Sequence, residues 1–104
     1  MHLAVERDDL RELTRLLDAG ADPDEFDGFN GWTPLLRAIA GEADSAVQTG
    51  EPLDAAATAV LLAYGADPGR PSSEGLTPMH LAFQSRHELA VRLIESHLDR
   101  RQKD

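Results

Sequence analysis

The chain contains no cysteine. Disulfides and thiolate metal sites are therefore excluded, although the absence does not by itself fix a compartment. Aromatic residues are scarce, with one Trp, one Tyr and three Phe. Their scarcity, beside plentiful Ala, Leu and Gly, favours closely packed helices over a large aromatic core. No apolar run approaches the ~18 residues of a membrane span. The first residues, Met1 to Asp9, lack the basic stretch and following apolar run of a signal peptide. These absences predict a soluble, cytoplasmic protein with no membrane partner. Basic residues are also few: 10 Lys and Arg stand against 19 Asp and Glu, a formal charge of −9. Residues 1–60 carry 13 acids and 4 arginines, while residues 61–104 carry 6 of each sign. All of the net charge thus falls in the first part. Phosphates would be repelled, which argues against nucleic acid and leaves a basic partner or a solvated acidic face.

One stretch occurs twice. Leu61-Leu62-Ala63-Tyr64-Gly65-Ala66-Asp67-Pro68 repeats Leu16-Leu17-Asp18-Ala19-Gly20-Ala21-Asp22-Pro23 almost letter for letter. Each reads as a helix end: a Leu-Leu pair closes an apolar face, Gly takes the left-handed position beyond it, and Pro prevents continuation. Helix starts recur as well. Thr33-Pro34 and Thr77-Pro78 place Thr at the N-cap and Pro at the first helical position, where its missing amide costs nothing. A 104-residue chain is one domain's worth, so the duplication points to repeats within a domain.

The intervening pattern predicts three helix pairs. Met1 to Arg7 reads as a short helix with Leu3 and Ala4 inward. Asp9 and Glu12 resemble a capping box, with Glu12 reaching back, ahead of a helix over 9–19 carried by Leu10, Leu13, Leu16 and Leu17. From Pro34 to about 48 the apolar residues Leu35, Ile39, Ala43 and Val47 recur every four positions, predicting an unusually long helix. Further helices are expected over 53–64, from Pro78 to about Ser85, and from Glu88 to about Arg101. The acid- and glycine-rich segment 22–31 and the segment 69–75 are loops.

The motifs Gly31-Trp32-Thr33-Pro34-Leu35-Leu36-Arg37-Ala38 and Gly75-Leu76-Thr77-Pro78-Met79-His80-Leu81-Ala82, with the two Leu-Leu…Gly-Ala-Asp-Pro endings in phase, resemble the ankyrin repeat. Met1-His2-Leu3-Ala4 matches Met79-His80-Leu81-Ala82, so the resemblance covers essentially the whole chain. It implies an all-α solenoid of stacked helix-turn-helix pairs in a single domain, 1–104. Repeat 1 spans about 1–30 and is truncated at its start; repeat 2 spans about 31–74; repeat 3 spans about 75–104 and caps the stack. The family period is ~33 residues, yet Thr33 and Thr77 lie 44 apart and Gly20 and Gly65 lie 45 apart. The excess locates an insertion at about 42–52 and an extra residue near 24–30. Leu36 replaces the family's usual His. Glu95 and Leu98 stand where the last repeat's Leu-Leu and Gly would be, as in a capping repeat with a polar outer face.

In that family the loops project as fingers, and partners bind the fingertips and the concave face of the first helices. Carried across, the partner-binding candidates are Phe26, Asp27, Phe29, Asn30 and Trp32 in the first finger, and Ser73, Glu74 and Leu76 in the second. On the first helices they are Glu6 and Arg7, Arg37, and Gln84 and Ser85, beside the small residues Ala40 and Gly41. Aromatic residues within the acidic rim of Asp22, Asp24, Glu25 and Asp27 form a candidate hot spot for a basic partner; packing of Trp32 or a Phe onto the neighbouring repeat is the competing expectation. The insertion, with Glu42, Asp44, Gln48, Thr49 and Glu51, is either a second contact surface or a lengthened hairpin without a partner. His2 and His80 occupy the family's structural His position. The four histidines have no ligand spacing, and no nucleophile or paired-carboxylate arrangement emerges. The expectation is a non-catalytic protein-binding module without metal or cofactor, monomeric or partner-bound, with a bacterial inhibitor or immunity-type role against a basic protein as its specific form. The alternative is a terminal fragment of a longer array whose binding site lies elsewhere.

Overall fold

A computed structural model describes residues 4–5, 9–25, 31–50 and 52–102, with side chains as far as Asp99. The described residues form five α-helices: α1 (Leu10–Asp18), α2 (Pro34–Thr49), α3 (Ala56–Ala63), α4 (Pro78–Gln84) and α5 (Glu88–Gln102). Ala4 and Val5 are helical as well. Helices α2 and α3 pack as one antiparallel hairpin and α4 and α5 as another. Across hairpins α2 meets α4, while α1, α3 and α5 stand in a row. The result is two layers of helices with a common core between them. Leu13, Leu35, Leu36, Ile39, Leu61 and Ile94 are its fully buried large hydrophobes.

The helix ends follow from local chemistry. Thr33 Oγ1 accepts the Leu36 amide at 3.3 Å and Thr77 Oγ1 accepts the His80 amide at 3.2 Å, satisfying first-turn donors that have no partner within the helix. The amides of Gly20 and Ala21 return to the carbonyls of Leu17 and Leu16, and those of Gly65 and Ala66 to Leu62 and Leu61. These are paired Schellman endings, with φ of 99° and 97° at the two glycines. Helix α4 ends on the same hydrogen bonds, Arg86 to Phe83 and His87 to Ala82, but here Arg86 holds φ of 58°.

Two sequence expectations are corrected. Asp9 caps α1 by accepting the Glu12 amide, but Glu12 does not reach back. Its carboxylate pairs with Arg15 at 2.5 and 2.8 Å in a charge-assisted fork, and the Asp9 amide it would have reached donates to the Ala4 carbonyl at 2.9 Å. That bond with Arg15 holds the Glu12 carboxyl below its ordinary range. Secondly, the four-residue stripe of α2 stays inside only as far as Ala43, and Val47 is 83% exposed. A spacing of four drifts about 40° per step around a 3.6-residue helix, and the end of α2 overhangs the stack. In α5 the Glu95 position faces outward, as the sequence reading of a capping repeat expects. Ile94 is fully buried, Leu93 lies half-buried beside it, and Glu95 is exposed.

The polar centre of the fold is Glu42. Ala55 at the N-cap of α3 offers no side-chain acceptor. Glu42, reaching across from α2, supplies one instead: it accepts the amides of Ala57 and Thr58 at 3.1 and 3.2 Å and the Thr58 hydroxyl at 2.6 Å. Fully buried His87 completes the set. Its Nδ1 accepts the Ala90 amide at 3.2 Å, so the proton sits on Nε2, which donates to Glu42 Oε1 at 2.8 Å. One carboxylate and one imidazole thus cap two successive outer helices and join α2, α3 and α5. His80, the family-position histidine, is exposed and lies 3.0 Å from Gln84 Nε2.

Candidate protein-binding surface

The loops leading into α2 and α4 are tied to one another. At the base, Asp24 Oδ1 accepts the Asp67 amide at 2.9 Å. Each loop also turns locally, with Asp22 accepting the Asp24 amide and Asp67 the Gly69 amide, both at 2.9 Å. Nearer the tips the Ser73 amide donates to the Gly31 carbonyl at 3.0 Å. The approach is close enough to require glycine. At Gly31 φ is 64°, and a Cβ there would lie 2.2 Å from Ser73 Oγ. Buried Ser72 pins the second tip: its hydroxyl accepts the amides of Glu74 and Leu76 at 3.2 Å, and its own amide donates to the Leu76 carbonyl at 2.8 Å. Ser73, Glu74 and Gly75 are left exposed on a backbone whose three amides are all bonded.

The other candidate residues divide by burial. Gln84 is exposed at the end of α4 and Ser85 is half-buried. Trp32 and Leu76 are half-buried against the core, and Arg37 is half-buried on α2. Trp32 is therefore shared between packing and surface. Glu6, Arg7, Phe26, Asp27, Phe29 and Asn30 lie outside the described residues. Of the acidic rim, Asp24 is committed to the inter-loop bond, while Asp22 and Glu25 are exposed. Asp18, exposed at the end of α1, accepts the hydroxyl of Tyr64 from the end of α3. Donating that bond to a carboxylate raises the Tyr64 phenol above its ordinary range.

The insertion candidates also divide. Asp44, Gln48 and Thr49 are exposed, Gln48 bonding back to Asp44 at 3.1 Å. Glu51 lies outside the described residues. Glu42 turns inward, so of the two readings left open for the insertion this acid follows neither a contact surface nor an idle hairpin and is a structural cap. A cleft of about 280 Å³ opens beside it, lined by Val5, Gly41, Ser45, Thr49 and Asp54 among others. Glu42 already accepts four hydrogen bonds there, and its two oxygens have no acceptor site left to bind a ligand. No helix among the described residues is long and apolar enough to cross a membrane.

Comparison with known proteins places this geometry. A family model described as ankyrin repeats (3 copies) matches residues 1–104. Human ARF GTPase-activating protein GIT1 is 38% identical over 96 residues, covering 91% of this chain and 11% of that protein. Mouse ARF GTPase-activating protein GIT2 is 41% identical over 96 residues, again 91% of this chain and 12% of its own length. The chain thus spans about a tenth of the relatives it matches. An ankyrin repeat domain from Acinetobacter baumannii superimposes with a TM-score of 0.74 at 28% identity, covering 90% of this chain and 44% of that one.

Proposed function

The chain belongs to the ankyrin-repeat family, and on that premise we propose that it is a non-catalytic module binding another protein through its finger loops and the concave face of its first helices. Ankyrin repeats are in general protein–protein interaction modules. The observation that carries this assignment to particular residues is the hydrogen bond between Ser73 and Gly31, reinforced by Asp24 and Asp67. Loops tied between Asp24 and Asp67 and between Gly31 and Ser73 lose little entropy on docking, so contact energy appears as affinity. Ser73 and Glu74 at the second tip, with Gln84 and Ser85 at the end of α4, form the contact centre. Trp32, Leu76 and Arg37 border it with their exposed edges, and the sequence candidates Phe26, Asp27, Phe29, Asn30, Glu6 and Arg7 are part of the same proposal.

The partner is a basic protein. The formal charge of −9 falls entirely within residues 1–60, and Asp22 and Glu25 flank the first finger. Such a field raises the association rate with a basic surface and weakens with salt. Inhibition would follow where the basic surface engaged is the partner's own working site. The test is capture on the immobilised chain, purification of the captured protein, and calorimetric titration against wild type and a Ser73→Arg/Glu74→Arg variant at low and high salt. A loss of tenfold or more in the variant, and weaker binding at high salt, is expected. Equal affinity of the two proteins would remove the second finger from the site, and affinity indifferent to salt would remove the basic partner.

A further inference from the structure

The far end of the helix stack presents a surface of a different kind. Ala82 and Phe83 on α4 and Val91 on α5 line an open groove of about 640 Å³. Phe83 is 64% exposed, an unusual state for so large a ring on a small chain. Around these apolar residues stand Arg86, Glu88, Arg92 and Glu95, two of each sign. The expectation of a polar outer face is therefore only half met: the rim is charged, the centre is not. Among the described residues, those lining the groove all belong to α4, α5 and the turn between them. Helix α3 stops after Ala63 at Gly65, whereas α5 runs on through His97, whose Nδ1 lies 3.1 Å from the Leu93 carbonyl, for 15 residues in all.

We propose that this groove is the interface of a symmetric dimer, with a second copy of the same chain as its occupant. Two features select that occupant. A two-fold contact sets each patch against itself, so a rim of one sign would repel its own copy, whereas a rim carrying both signs lets Arg of one copy face Glu of the other. The charge distribution of the whole chain selects the same end. Residues 61–104 are electrically balanced and residues 1–60 hold the entire −9. Copies meeting through the balanced end keep their acidic parts apart, and copies meeting through the other end would press them together. Phe83 and Val91 supply the apolar centre, the two Arg-Glu rims fix the orientation, and the fingers of both copies remain free.

Sedimentation equilibrium over a range of concentrations, with circular dichroism to confirm folding, tests this. Wild type is expected to dimerise reversibly, and Phe83→Asp, a change at an exposed site, to abolish the dimer. Arg86→Glu/Arg92→Glu and Glu88→Arg/Glu95→Arg each leave a rim of one sign. Either variant alone is expected to be monomeric, and their mixture to form a one-to-one heterodimer. Wild type that stays monomeric at all accessible concentrations overturns the dimer. A dimer that survives Phe83→Asp, or single-sign variants that fail to pair when mixed, overturns this face as its site. Partner capture by the fingers is a separate measurement, and neither outcome decides the other.

Discussion

Glu42 and His87 are 45 residues apart in sequence, yet both side chains are almost wholly withdrawn from water and bond at 2.8 Å. Removing the carboxylate would strand the Thr58 hydroxyl, two first-turn amides and the His87 Nε2–H together. A Glu42→Ala change is expected to cost about 3 kcal/mol, at the scale of breaking a buried charged network rather than losing a surface acid. Urea unfolding measures it, and a cost under ~0.5 kcal/mol, typical of exposed positions, would contradict the capping role. His87→Ala is expected to be comparably damaging and strongly non-additive with Glu42→Ala, because the two act on one network. At Arg86 the backbone is left-handed and the side chain exposed. Arg86→Gly is expected to raise stability by roughly 0.5–1 kcal/mol, since the helix ending needs that conformation and only Gly adopts it freely. None of this was legible in the sequence. Glu42 read as one acid among several in an insertion and His87 as one unpaired histidine among four, because the bonds that define them are tertiary. A signal did exist: Ala55 cannot cap α3, so an acceptor had to come from elsewhere.

Helix ends, by contrast, could be read directly. Thr-Pro starts and Leu-Leu-x-x-Gly-Ala-Asp-Pro stops act within a turn of chain, so their residues alone determine the outcome, and the observed helices fall within three residues of the expected bounds. Helix α2 marks where that reading ends. Periodicity predicts which face is apolar, but not how far the neighbours extend to cover it. Val47 follows the stripe of Leu35 and Ile39 without their burial. Val47→Ser is accordingly expected to change stability by less than ~0.5 kcal/mol, and Ile39→Ala to cost about 2–5 kcal/mol; equal effects would contradict an overhanging end. Between the outer helices, the Tyr64 phenol donates to Asp18 and is raised by that bond. The folded state thus favours the protonated phenol. Its contribution is present below the ordinary tyrosine value of about 10 and is lost as pH rises through the raised one. Thermal midpoints of wild type are expected to fall more steeply over that alkaline window than those of Tyr64→Phe.

At the scale of the molecule, the stack separates its tasks by end and by edge. Charge lies with the first helices and first finger, the polar network holds α2, α3 and α5 in register, the tied loops offer a fixed edge, and the apolar end groove lies beyond α4 and α5. The resemblance carried by Thr-Pro and Gly-Ala-Asp-Pro was enough to assign the family. It could not distinguish Ser73 and Glu74, held outward by the bonds of Ser72, from Trp32 and Leu76, which share themselves with the core; that sorting depends on contacts between loops far apart in sequence. The most direct test of the account compares one purified, captured partner against wild type, Ser73→Arg/Glu74→Arg and Phe83→Asp by calorimetric titration. The expected result is at least a tenfold loss of affinity with the fingertip variant and none with Phe83→Asp. Unchanged binding by the fingertip variant, with loss in Phe83→Asp, would contradict the claim that this protein binds through its fingers.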